Sequence, residues 1–125
     1  MTFDYGAAIR ERISAEVAQH GDVPPPWAAY PTFGPHSMGW RMGDGEVYSA
    51  AWSAWADSLD WDEAQRLAYL RRYPAAPEWH GSAARFLYGF SVFADEAEVR
   101  GYIERAAALG LWLAEDADSG TPAST

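Results

Sequence analysis

Cysteine is missing from all 125 residues of this chain, and so is lysine. Without cysteine, disulfides, thiolate nucleophiles, iron–sulfur ligation and thiolate zinc sites are excluded together, and a reducing compartment is compatible with the composition. Without lysine, Schiff-base chemistry and the lysine of a phosphate-binding loop are excluded as well.

Long apolar runs are also missing. The amino terminus, MTFDYGAAIRERISAEV, breaks its apolar residues with acids and arginines, so it has neither the core of a signal peptide nor a stretch able to span a bilayer. A soluble, cytoplasmic protein with no membrane partner is the expectation. Eighteen acids stand against nine bases, a formal charge of −9. A field of that sign repels polyanions, so nucleic acid is not an expected partner.

Catalytic signatures are sparse to the same degree. No two of the three histidines, His20, His36 and His80, share the spacing of a helical metal pair, and no G-x-S-x-G elbow presents a serine. Gly39, Gly43 and Gly45 fall short of a dinucleotide fingerprint and follow no strand pattern. The carboxylate pairs Asp44 with Glu46 and Asp60 with Glu63 are placed like helix-starting acids, which the free amides and the dipole stabilise, a role that accounts for them without acid–base catalysis. No catalytic residue, metal site or cofactor is expected from these patterns.

What is present is helical periodicity and aromatic weight. Tyr5, Ile9, Ile13 and Val17 form an apolar stripe that Gly21 stops, and Tyr48, Trp52, Trp55 and Leu59 share one face of a second long helix. Asp60 with Glu63, and Asp95 with Glu98, resemble capping boxes; Tyr73 before Pro74 and Gly110 mark two helix ends. Residues 78 to 93 lack a clear period and read as one or two short helices, with a strand as the other reading. The fold class expected is therefore all-α, one globular helical domain of four to five helices over residues 1 to 114, followed by an acidic, polar tail over 115 to 125.

Residues 22 to 43 break the helical pattern. Pro24, Pro25, Pro26, Pro31 and Pro35 point to an extended segment, on which Trp27, Tyr30, Phe33 and His36 recur every third residue, the period of a polyproline II helix. Rings so placed suggest a strap lying against the Tyr48, Trp52 and Trp55 face.

The stretch SMGWRMGDGEVY, residues 37 to 48, collects the candidate binding residues. Its glycines and acids read as the start of a helix, with Gly43 or Asp44 as cap, while Trp40, Arg41 and Met42 are left over, Trp40 and Arg41 being the candidates among them. Arg41 can brace an indole, pair with Asp44 or Glu46, or face a partner. The charge, the size and the missing catalysis suit a small acidic module that binds another protein of basic character, in the manner of an immunity or antitoxin-like inhibitor. The rival expectation is a small-molecule binder or enzyme with a pocket formed by Trp40, Arg41, Asp44, Glu46, His36 and His80. A self-associating structural subunit is the third.

Overall fold

Helix-stop and helix-start signals partition the chain, and a computed structural model of the protein, which describes residues 4 to 113, is all-α, with six α-helices and no strand among those residues. The chain divides into two compact units, Met1–Asp60 and Trp61–Thr125. The tail expected over 115 to 125 lies outside the described residues.

In the first unit, Asp4 accepts from the Ala7 amide and opens α1 (Tyr5–His20), which ends at Gly21 in a left-handed cap. Residues 22 to 27, Asp-Val-Pro-Pro-Pro-Trp, then run without a break through the buried interior. The proline run ends by starting a helix. Pro26 takes the first position of α2 (Pro26–Ala29), where its missing N–H has no intrahelical bond to lose.

A continuous extended strap over 22 to 43 is therefore not what forms. It is interrupted by α2 and by a 3-10 turn over Met38–Arg41, before α3 (Gly43–Ser58) begins. Trp27 and Tyr30 lie one helical turn apart, and their alignment comes from that turn rather than from a polyproline edge.

Part of the packing expected of the strap nevertheless forms, through Trp27 and Tyr30, while Phe33 turns to Tyr30 and Trp40. Trp27 meets Trp52 edge-on with centroids 5.8 Å apart, and Tyr30 meets Tyr48 in the same way at 5.3 Å. Tyr48 is fully buried; its hydroxyl donates to the Pro24 carbonyl at 2.6 Å, and the Arg12 guanidinium lies 4.9 Å from its ring centroid. Proline carbonyls suit such a bond, because a proline run supplies acceptors and no donors.

In the second unit, α4 (Glu63–Arg72) is opened by Asp62 and not by Asp60. The Asp62 carboxylate accepts from the Gln65 amide at 2.8 Å, and the Gln65 side chain accepts from the Asp62 N–H at 2.9 Å, a complete reciprocal box. Starting there leaves Trp61 outside the helix, where its ring packs edge-on to Tyr69. Arg66 is stretched across the unit, donating to the carbonyls of Trp61 and Phe86 and lying over the Phe86 ring.

Residues 78 to 93 resolve as a 3-10 turn (Pro77–Trp79), α5 (His80–Tyr88) and a loop, with no strand. Asp95 caps α6 (Glu96–Ala108) as its spacing predicts, accepting from the Glu98 amide. Gly110 and Leu111 close that helix by bonding back to Ala107 and Ala106, the paired bonds of a Schellman end. Beyond it, Trp112 donates to the Ile103 carbonyl and stacks on buried His80 with centroids 3.9 Å apart.

Candidate functional site

The geometry of SMGWRMGDGEVY follows from the 3-10 turn at its start. Ser37 opens that turn by accepting from the Gly39 amide at 3.1 Å. A 3-10 helix has three residues per turn, so Met38 and Arg41 eclipse on one face, while Gly39 and Trp40 take the other two.

Gly39 faces inward. A Cβ there would overlap the Phe33 ring, and a Cβ on Gly45 would overlap the Gly39 carbonyl oxygen. These two glycines let the 3-10 turn lie directly on the first turn of α3.

Trp40 is half-buried and turned into the unit. Its indole N–H donates to the Gly34 carbonyl at 2.8 Å, and its ring meets Tyr30 and Phe33 edge-on at 5.4 and 5.2 Å. With the stacked Tyr30 and Phe33, 5.2 Å apart, it completes a ring cluster, each pair contributing about 0.5–1.5 kcal/mol beyond area burial.

Arg41 is turned out. Arg12, Arg66, Arg72 and Arg105 each lie over an aromatic ring, whereas Arg41 is exposed and makes no hydrogen bond, ion pair or ring contact among the described residues. It does not pair with Asp44 or Glu46. Met38 and Met42 stand on either side of it, 63% and 64% exposed.

The remaining candidates are distributed unevenly. Asp44 is exposed and Glu46 half-buried in the first turn of α3, whose cap residue is Met42 with no side-chain cap bond, so neither Gly43 nor Asp44 is the cap. Both acids sit where the helix dipole favours them. The Tyr5 hydroxyl reaches the Glu46 backbone carbonyl at 3.4 Å, and its pKa is raised above 10.0, first by desolvation and then by the Glu46 carboxylate. His36 is exposed in the turn that Ser37 closes onto the Gly34 carbonyl. His80 belongs to the second unit, buried and stacked on Trp112.

Four residues escaped the sequence reading. Met42 was left over by helix initiation together with Trp40 and Arg41 but not taken as a candidate, and the only signal of Met38 was its place in the same glycine-rich turn. Asp22, 1% exposed at the start of the proline run, gave no signal beyond a lone acid after a helix stop. Phe93, 91% exposed, lay in the segment 78 to 93, whose lack of a clear period left no face to assign it to.

Among the described residues no group of three or more metal-capable side chains occurs, and no helix is long and apolar enough to cross a membrane. No protein-family model matches the chain, and comparisons with curated proteins and with solved structures give no match.

Proposed function

We propose that this chain is a small acidic protein-binding module of the cytoplasm, and that the Met38–Arg41–Met42 surface is part of its contact area. The observation that carries the reading is the outward Arg41 between two exposed methionines, on a turn seated on α3 through glycines.

Arginine is enriched at the centre of protein interfaces because its planar group forks onto carboxylates and stacks on rings. Methionine adapts its shape to an irregular partner surface. The formal charge of −9 selects for a partner of net positive charge and speeds its encounter. An immunity or antitoxin-like inhibitor of a cationic enzyme has these properties.

The test is native mass spectrometry of the protein purified from its own host, followed by association kinetics with whatever protein is retained. A protein partner whose association slows at least tenfold between low and physiological salt, and whose affinity drops about tenfold or more with Arg41→Ala, supports the module. A retained small molecule, a mass that only rises with the chain's own concentration, or a salt-independent rate refutes it.

A further inference from the structure

The second unit carries an exposed apolar pair of its own. Val92 is 60% and Phe93 91% exposed, the highest value of any large hydrophobic side chain described. They are not on a frayed end. The Ala94 amide donates to the Ser91 carbonyl at 3.1 Å, and the Phe93 amide donates to the Ser91 hydroxyl at 3.0 Å, so both residues occupy the middle of a closed turn.

That turn is held from both sides. Before it, α5 ends at Gly89, and Phe90 stacks on Tyr102 of α6 with centroids 4.6 Å apart and planes 9° from parallel. After it, Asp95 caps α6. An anchored turn loses little conformational freedom when its tip is buried, the condition under which one aromatic ring contributes most to binding.

Charge decides what the tip enters. Asp95, Glu96 and Glu98 follow it directly and are all exposed. A second copy docking by the same face would bring like charges together, and an anionic bilayer surface would be repelled. The chain's own end carries Glu115, Asp116 and Asp118 and has the same sign. A basic protein has the opposite one.

Resting on the protein-binding reading above, we infer that Phe93 and Val92 form an anchor that inserts into an apolar pocket of a basic partner protein, with Asp95, Glu96 and Glu98 meeting lysines or arginines at the pocket rim. The ring fills the pocket and sets the dissociation rate. The carboxylates set the encounter rate and its salt dependence.

The experiment places a photoreactive p-benzoylphenylalanine at position 93 of the full chain in its host, with position 42 and the exposed position 68 on α4 as comparisons. The expected product at 93 is one basic protein, absent at 68. With that protein purified, Phe93→Ala should weaken Kd at least about 30-fold, mostly through faster release, and Phe93→Leu should retain most of the affinity. Glu96→Gln with Glu98→Gln should slow association and flatten its salt dependence. The Phe93→Ala chain is checked for an unchanged circular dichroism spectrum and melting point, as its exposure predicts.

Crosslinking of position 93 to a second copy, to lipid or to nothing overturns the anchor, as does a Phe93→Ala affinity within twofold of the parent. A basic protein captured from position 42 but not 93 removes the anchor and leaves the module standing. Capture from neither position removes both.

Discussion

The carbonyl oxygen of Gly39 lies where a Cβ on Gly45 would have to go. Backbone meets backbone there, so no rotamer change can relieve a larger residue. Gly45→Ala should destabilise the protein by about 1–3 kcal/mol, read as a lower urea midpoint. Gly101, inside α6 with nothing within 4 Å of its would-be Cβ, is the contrast. Gly101→Ala should stabilise by about 0.5–1 kcal/mol. Equal effects at both positions would contradict the close approach.

Tyr48 is the side chain on which the proline run rests, and its bond to the Pro24 carbonyl is buried. Tyr48→Phe keeps the ring and leaves that acceptor without its donor, at a cost of about 1–3 kcal/mol. Trp27→Ala, by removing a buried indole from the same packing, should cost about 3–5 kcal/mol. Thermal and urea denaturation give both values. A Tyr48→Phe variant as stable as the parent would show that water or a neighbour satisfies Pro24.

The start of α4 can be tested by two single changes. Asp62→Ala removes half of the reciprocal box and should cost about 1 kcal/mol. Asp60→Ala, at an exposed position outside the helix, should stay within about 0.5 kcal/mol of the parent. The reverse order would restore the cap that spacing alone suggests.

Two tyrosines with raised pKa predict a loss of stability in alkali. Tyr5 is raised by desolvation and by Glu46, and Tyr88 by desolvation, with Arg105 opposing and Glu63 adding. A raised phenol favours its neutral form in the fold, so the associated stability is present below the unfolded pKa. It is lost as pH climbs through the folded value. Denaturation midpoints should fall above about pH 10, and Tyr5→Phe should make that fall shallower. An unchanged profile in the variant would assign the loss elsewhere.

The all-α class, the stop at Gly21, the Asp95 cap and the Gly110 end were legible in the sequence because periodicity and helix ends are local properties, decided within a few residues. The aromatic filling of the Tyr48 and Trp52 face was legible too, since rings in a proline-rich stretch need somewhere to pack. Its conformation was not, because Pro26 serves equally well in an extended strand or at the first position of a helix. Two acids spaced for a cap preceded α4, and only the Gln65 amide and the packing of Trp61 on Tyr69 selected Asp62.

The opening turn shows the same division more sharply. Sequence isolated Trp40 and Arg41 among the residues that helix initiation does not use, yet neighbours in a chain carry no information about which of them faces out. Three residues per turn, with Gly39 forced inward by the Phe33 ring and by Gly45, sends Trp40 into the ring cluster and Arg41 to the surface beside Met38. Phe93 was hidden for the matching reason: a segment without a clear period assigns no face to its rings, and only the turn between the end of α5 at Gly89 and the α6 cap at Asp95 carries this one out of the unit. Hydrophobicity is a property of the residue, but exposure is decided by which neighbours close over it, and that is known only once the chain has folded.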